Sequence, residues 1–309
     1  MIYEKERTSM GYKTREFLKR LWSGEVFTKK LLCPAKINLF LEVTGRREDG
    51  YHTIESVMQK ISLCDRVELT LSRGEGISIT SNDRTLPTGE KNLGYRAITS
   101  YLAAAGITLH ADLYIYKRIP VAAGLAGGST DAAGVLRALD GMIGALSKKQ
   151  LAEIALSLGA DVPFCLFASA SLCRGLGEER SFITPLADCC LVVAKSKRES
   201  VSTPEAYRLI DALSYEPVSV KATEEALARE ELGDIAQSLF NRFEEVIEDS
   251  CPSVSRIKKI MLEGGALRAM MSGSGPSVFG IFTDEAAAER VKDALREEKC
   301  YAYVTRPWR

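Results

Sequence analysis

Between Lys36 and Val43 the chain alternates strictly, with Ile37, Leu39, Leu41 and Val43 on one side and Lys36, Asn38, Phe40 and Glu42 on the other. Successive side chains of an extended chain point to opposite faces, so this stretch predicts a β-strand that carries a lysine and an asparagine side by side. Asp49-Gly50 marks a turn, Tyr51 and His52 follow it directly, and a second strand-like stretch runs from Val67 to Leu71. Turn-forming residues cluster from Arg73 to Gly89, which predicts loops and short strands there. Ala97 to Ala105 reads as a helix stopped by Gly106, and Leu113, Ile115 and Ile119 share one face of a strand running into Pro120. A glycine-rich turn then opens a helix with Ala132, Val135, Leu136 and Leu139 on one stripe. The next helix, Lys148 to Leu158, aligns Leu151, Ile154, Ala155 and Leu158 and stops at Gly159.

Beyond Pro185 the run from Cys189 to Ala194 reads as a buried strand. Helices follow near Pro204 to Leu213, Thr223 to Glu230 and Ser253 to Glu263, then strands at Leu267 to Met271 and Val278 to Phe282, and a helix from Glu285 to Glu298. The pattern is α+β. With 309 residues, and about 150 residues per domain, two domains are expected, placed at 31–185 and 186–309. The first thirty residues hold eight Lys/Arg and four Asp/Glu around a weakly amphipathic patch of Phe17, Leu18, Leu21 and Trp22. They are expected to be a flexible N-terminal extension, such that deleting Met1 to Thr28 leaves activity intact.

Apolar residues make up 46% and charged residues 27% of the chain, a globular balance. Lys plus Arg and Asp plus Glu are 41 each, so the basic excess that drives binding to a phosphate backbone is absent and no nucleic-acid partner is expected. No apolar run approaches the roughly 20 residues that cross a bilayer, and no membrane association is expected. Eight cysteines without a CxxC pair read as buried thiols of a reducing, cytoplasmic compartment. Two histidines, His52 and His110, are too few for a multi-histidine metal centre.

The feature richest in chemistry is the turn Pro120-Val-Ala-Ala-Gly-Leu-Ala-Gly-Gly-Ser-Thr-Asp131, set between a strand and a helix. Gly124, Gly127 and Gly128 let main-chain N–H groups crowd an anion, and the helix adds its unsatisfied N–H groups and positive dipole end. No Gly-Lys-Ser/Thr follows, so it is not a Walker A loop, and it is not the dinucleotide GxGxxG fingerprint either. Taken alone, such a turn is as often a tight connection as a phosphate cradle. The second glycine turn, Ser272-Gly-Ser-Gly-Pro-Ser277, reads by itself as a hairpin. Asp161 in Gly159-Ala-Asp-Val-Pro163 fits an N-cap, Lys36 a solvated strand residue, Asn38 a sheet-edge hydrogen bonder and His52 an exposed turn residue.

In combination these segments say more. The succession of Cys33-Pro-Ala-Lys-Ile-Asn-Leu39, Gly50-Tyr-His52, the turn at Gly124, Gly159-Ala-Asp-Val-Pro163 and Ser272-Gly-Ser-Gly-Pro276 resembles the galactokinase, homoserine kinase, mevalonate kinase and phosphomevalonate kinase (GHMP) superfamily. Within it, the set of Lys36, Asn38, Tyr51, His52 and Asp161 is similar to the kinases that act on 4-diphosphocytidyl-2-C-methyl-D-erythritol, an intermediate of the non-mevalonate isoprenoid pathway. The resemblance covers Leu31 to the C-terminus. It implies a two-domain fold, ribosomal-protein-S5-like then ferredoxin-like, with the active site in the cleft between them. It implies an ATP- and Mg2+-dependent transfer of phosphoryl to the substrate's 2-hydroxyl by a monomer or homodimer.

Residue by residue, the resemblance makes Asp161 the general base and Lys36 its cationic neighbour. It gives the nucleotide to Asn92, Lys117 and the stretch Pro120, Val121, Ala122, Ala123, Gly124, Leu125, Ala126, Gly127, Gly128, Ser129, Thr130 and Asp131. The amides of Ala123 to Thr130 would hold the phosphates. The substrate falls to Tyr51 and Tyr207 as stacking faces, Asn38 and His52 as readers of the cytosine edge, Thr203 beside them, and Gly273, Ser274 and Gly275 over the diphosphate or polyol. A nonaromatic polyol has no use for such a clamp, which separates this reading from that of a sugar, homoserine or mevalonate kinase. A third possibility is a nucleotide sensor without turnover. This chain departs from the family pattern at Ala126 (commonly glycine), Thr130 (commonly serine), Tyr207 (phenylalanine in some members) and Asn241-Arg-Phe-Glu244 (commonly Asn-Asp-Leu-Glu).

Overall fold

The computed structural model describes residues 11–309, which divide into two compact units. Two long strands, β1 (Phe27–Arg46) and β2 (His52–Ser72), each contribute a segment to both. They meet at the Asp49-Gly50 turn, where Gly50 has φ +86° and Asp49 Oδ1 accepts the N–H of Tyr51 at 3.2 Å.

The first unit comprises the described residues up to Cys33, Asp65–Arg118 and Gly128–Leu166. It contains α1 (Tyr12–Trp22), β3 (Gly76–Ser81), α2 (Leu93–Ala105), β4 (His110–Tyr116), α3 (Gly127–Met142), α4 (Lys148–Leu158) and α5 (Val162–Phe167). Strand β2 pairs antiparallel with β4 from Arg66↔Tyr116 to Ser72↔His110, and β3 runs parallel to β4. Helix α2 begins where the Asn92 side chain accepts the N–H of Gly94 at 2.8 Å and ends at Gly106 in the left-handed region. Apolar residues that alternate along the strands (Val67, Leu69, Leu71, Leu113, Ile115) are buried, as are those recurring along the helices (Ile98, Val135, Leu136, Leu139). A Cβ on Gly134 would stand 2.4 Å from Cys33 Sγ, so the small residue lets α3 lie close against β1.

The N-terminal extension needs correcting over its described part. Residues 12–22 form α1, which buries Thr14, Phe17 and Leu21, and Phe27 already belongs to β1. Thr14 Oγ1 shares its proton between the carbonyls of Ile143 (3.2 Å) and Gly144 (3.1 Å), and Lys13 Nζ donates to the Asp140 carbonyl at 3.1 Å. These acceptors lie at and just beyond the end of α3, where helix carbonyls lack partners of their own. The weak apolar patch was therefore a packing face, and the first ten residues lie outside the described ones.

The second unit comprises Pro34–Cys64, Ile119–Gly127 and Phe167–Arg309. Its elements are β5 (Ala170–Gly175), β6 (Glu179–Ser181), β7 (Cys190–Ser196), α6 (Thr203–Ile210), α7 (Lys221–Arg229), α8 (Leu232–Ser238), β8 (Phe240–Asn241), α9 (Glu244–Ile247), α10 (Pro252–Glu263), β9 (Arg268–Met271), β10 (Val278–Phe282), α11 (Glu285–Glu297) and β11 (Cys300–Thr305). Strand β2 pairs antiparallel with β5, β5 with β6, and β1 parallel with β8 through Phe40↔Phe240. A separate antiparallel sheet runs β11-β7-β10-β9, with α10 and α11 packed against it. Every residue of β7 is buried, as its uninterrupted apolar run requires of a central strand covered on both faces. The α+β expectation holds, and all eight cysteines are buried free thiols.

Candidate active site

Between Cys33 and Val43 strand β1 keeps no wet face. Lys36 (4% exposed), Asn38 (1%) and Glu42 (0%) are as buried as their apolar neighbours. Buried polar groups require partners, and each has them. Lys36 Nζ donates to Asn38 Oδ1 at 2.8 Å, and Asn38 Nδ2 donates to Ser56 Oγ at 2.8 Å, whose hydroxyl passes on to the Phe40 carbonyl at 2.7 Å. With both ends of its amide engaged, Asn38 holds the Lys36 ammonium in place. Glu42 receives Arg242 bidentately (Nε 2.9 Å, Nη2 2.7 Å), so the departure at Asn241-Arg-Phe-Glu244 carries a buried ion pair.

The two glycine turns meet within the second unit. Gly124 has φ +72°, and a Cβ there would lie 2.1 Å from the Ser272 carbonyl oxygen. Ser272 Oγ donates to the Gly124 carbonyl at 3.2 Å and accepts the Asn38 N–H at 3.3 Å, while Lys36 N–H donates to the Leu125 carbonyl at 3.1 Å. Asn241 Nδ2 fastens the second turn through the carbonyls of Met271 (2.7 Å) and Gly273 (2.9 Å). Lys195, on β7, donates to the Val121 carbonyl at 3.1 Å, and burial lowers its pKa. Ala122 (φ +50°) and Ala126 (φ +56°) take left-handed backbone at a cost of about 1–2 kcal/mol each, the price of this loop shape without glycine.

Thr203 Oγ1 and Ser274 Oγ are 2.9 Å apart, which joins the start of α6 to the second turn. One helical turn on, Tyr207 stacks on the His52 ring with centroids 4.5 Å apart and planes at 17°, and meets Phe243 edge-on at 5.0 Å. His52 Nε2 is 2.7 Å from Asp211 Oδ1. Tyr51 is 65% exposed, so His52 rather than Tyr51 covers one face of Tyr207.

Within the first unit, Lys117 forms ion pairs with Asp65 and with Asp131, the latter at 2.8 Å, and all three side chains are almost fully buried. Burial and the neighbouring Asp65 push the Asp131 carboxyl up to about 7 against the pull of Lys117. Lys117 is raised in turn, because the two aspartates outweigh its desolvation. At the start of α3, Thr130 Oγ1 and Asp131 Oδ1 are buried oxygens without a hydrogen-bond partner among the described residues. Asn92 is occupied as the cap of α2, its Nδ2 donating to the Pro87 carbonyl at 2.7 Å. Asp161 is half-buried one residue before α5, and its carbonyl accepts the Cys165 N–H at 3.0 Å.

Asp65, Lys195, Asp211 and Asn241 were missed from the sequence. Asp65 and Lys195 sit in strands without a motif, and their partners are more than fifty residues away in the chain. Asn241 was legible only as the first, matching position of a pattern otherwise departed from, and Asp211 lay unremarked inside the helix expected near Pro204 to Leu213.

Comparison with known proteins places these features. The family profile described as GHMP kinases N terminal domain matches residues 92–169, and that of GHMP kinases C terminal matches 223–302. A 4-diphosphocytidyl-2-C-methyl-D-erythritol kinase of Alkaliphilus metalliredigens is 42% identical over 270 residues, covering 86% of this chain and 92% of that protein. The protein of the same name from Geobacter sulfurreducens is 39% identical over 277 residues, covering 89% and 98%. A crystal structure of a 4-(cytidine 5'-diphospho)-2C-methyl-D-erythritol kinase superposes with TM-score 0.77 at 35% identity, covering 90% of this chain and 99% of that one. A homoserine kinase from Cytophaga hutchinsonii shares the fold at 22% identity, with TM-score 0.70 over 90% of this chain and 94% of that one.

Proposed function

Because the chain belongs to the 4-diphosphocytidyl-2-C-methyl-D-erythritol kinase family of ATP-dependent GHMP phosphotransferases, we propose that it phosphorylates the 2-hydroxyl of that substrate through Lys36 and Asp161. The observation that carries the roles is the buried ammonium of Lys36, oriented by Asn38, in a chain whose relatives are kinases.

The Asp161 carboxylate accepts the hydroxyl proton as the substrate oxygen bonds to the γ-phosphorus, and the bond from that phosphorus to the bridging oxygen breaks to release ADP. Lys36 stabilises negative charge on the transferring group, and burial strengthens that interaction because fewer waters compete. The main-chain amides from Ala123 to Thr130 cradle the nucleotide phosphates, on a loop whose shape the Ser272 and Lys195 contacts maintain. Asn92 contributes by fixing the first turn of α2, and Lys117 by holding Asp131 at the start of α3. The turn Gly273 to Gly275, with Thr203, faces the diphosphate or polyol, and Tyr207, His52 and Tyr51 form the base pocket. The proposed functional halves are 31–185 and 186–309, with one family match inside each, while the two compact units cut across them, since Pro34–Cys64, Ile119–Gly127 and the segment from Phe167 belong to the second.

Magnesium accompanies ATP in phosphoryl transfer, and the donor set suits it: a hydroxyl oxygen and a carboxylate oxygen, Thr130 Oγ1 and Asp131 Oδ1, are buried and unsatisfied beside the phosphate loop. Held there, the ion would supply charge neutralisation to the phosphates.

The test is ATP consumption by purified protein with 4-diphosphocytidyl-2-C-methyl-D-erythritol, run beside mevalonate, homoserine and galactose. Turnover with the cytidyl compound alone, abolished in Asp161→Asn with ATP affinity nearly unchanged, is expected. Turnover with a control substrate overturns the base-pocket reading, and ATP binding without any turnover favours a sensor.

A further inference from the structure

Asp211 ends α6 with each carboxylate oxygen engaged: Oδ1 lies 2.7 Å from His52 Nε2, and Oδ2 accepts from Arg46 Nη1 at 3.2 Å. His52 is held on two sides, by this contact and by the Tyr207 ring beneath it, and its side chain is only 8% exposed. The His52 hydrogen bond holds the Asp211 carboxyl below its ordinary range against partial desolvation, with Arg46 assisting, so Asp211 is an ionised acceptor. An ionised carboxylate has no proton to donate. In a neutral imidazole the proton must then sit on Nε2, which leaves Nδ1 as an acceptor. Among the described residues Nδ1 makes no hydrogen bond.

We infer that Asp211 is a specificity-determining positioning residue, which locks His52 in the Nε2–H tautomer so that Nδ1 accepts from the exocyclic amino group of cytosine and repels the carbonyl oxygen uracil carries at that position. The inference rests on the proposed placement of His52 in the base pocket. Two opposed lone pairs form no hydrogen bond, and both groups lose water, so the wrong base is disfavoured by about tenfold to a hundredfold. Arg46 engages the far oxygen and so helps hold the carboxylate beside the ring.

The chain has two histidines, so the imidazole 15N spectrum of the intact protein contains two rings, and His110→Gln assigns them. Spectra are recorded near pH 8, above the ordinary imidazole value of about 6.5, with CMP or UMP titrated in. The wild type is expected to show a protonated Nε2 and an unprotonated Nδ1 on His52, to move that ring on CMP addition, and to prefer CMP over UMP. Asp211→Ala, and Asp211→Asn, whose amide can turn either end to the ring, are expected to mix the tautomers and narrow the CMP preference by about tenfold. Their melting temperatures serve as the folding control, since a structural role alone does not change a tautomer ratio. Retention of both the tautomer and the preference in the two variants overturns the inference. If CMP leaves the wild-type His52 resonances unmoved, the base-pocket placement fails, and the inference with it.

Discussion

Gly124 and Ser272 belong to segments 148 residues apart, yet the Ser272 carbonyl occupies the space a Gly124 side chain would need, 2.1 Å from an added Cβ. Both glycine turns are therefore one assembly, and a change in either transmits to the other, including the turn proposed to hold the phosphates. Gly124→Ala combines a main-chain clash with left-handed backbone. It is expected to lose at least about 2 kcal/mol of stability and more than about tenfold in turnover, as read by thermal denaturation and ATP consumption.

The Glu42–Arg242 pair is buried and bidentate, and Glu42 Oε2 also accepts the Val218 N–H at 2.8 Å. Arg242→Ala leaves a carboxylate without its counterion, so a loss of about 3–5 kcal/mol is expected from denaturant titration. The double change Glu42→Gln with Arg242→Met removes both charges and should recover much of it. If the double variant is no more stable than Arg242→Ala, the loss came from packing rather than charge.

Helix α1 belongs to the fold. Phe17 (4% exposed) and Leu21 (0%) are core residues. Each truncation to alanine is expected to cost about 2–5 kcal/mol, and calorimetry checks it. Deleting Met1 to Thr28 should likewise lower the melting temperature, the reverse of what a dispensable tail predicts.

Glu199 accepts hydrogen bonds from Cys251 Sγ (2.9 Å) and from the Ser253 N–H (3.1 Å) in the first turn of α10. These contacts, with Arg256 nearby, outweigh desolvation and hold its pKa below the usual value. Burial, with Glu199 alongside, pushes the Cys251 thiol up to about 11, so it remains a protonated donor. A depressed acid adds stability that is complete above its unfolded value of about 4.3 and is lost as pH falls through the folded value. Glu199→Gln is therefore expected to melt below wild type at neutral pH, with the gap closing in acid. A gap independent of pH removes the charge from the explanation.

Ala126 sits at φ +56°, in the left-handed region that favours glycine. Ala126→Gly relieves the left-handed strain but frees the unfolded chain, so the net gain in stability should be at most about 1 kcal/mol. Nucleotide affinity, measured by calorimetry, is expected to stay within about threefold because the glycine removes no donor amide and the strain relieved is of that size.

Local physics made much of this protein legible in advance. Alternation at Ile37 to Val43, helical recurrence from Ala132 to Leu139, and stops at Gly106 and Gly159 are signals carried within a few residues, and the elements appear where those signals lie. Short motifs in a fixed order carried the family as well, since phosphate loops need glycines at set spacing whatever surrounds them. Tertiary structure alone decided what each polar residue does. Lys36 looked solvated because alternation says which side a residue faces, not whether that side is covered. Asn38 looked free for substrate, and only the approach of Ser56 and Lys36 shows its amide engaged. The faint patch at Phe17 and Leu21 became a core face, and an ordinary aspartate at 211 came to face His52 across 159 residues of chain. Backbone propensity acts between neighbours in sequence and can be read there, whereas burial, ion pairing and tautomer choice depend on groups that only folding brings together.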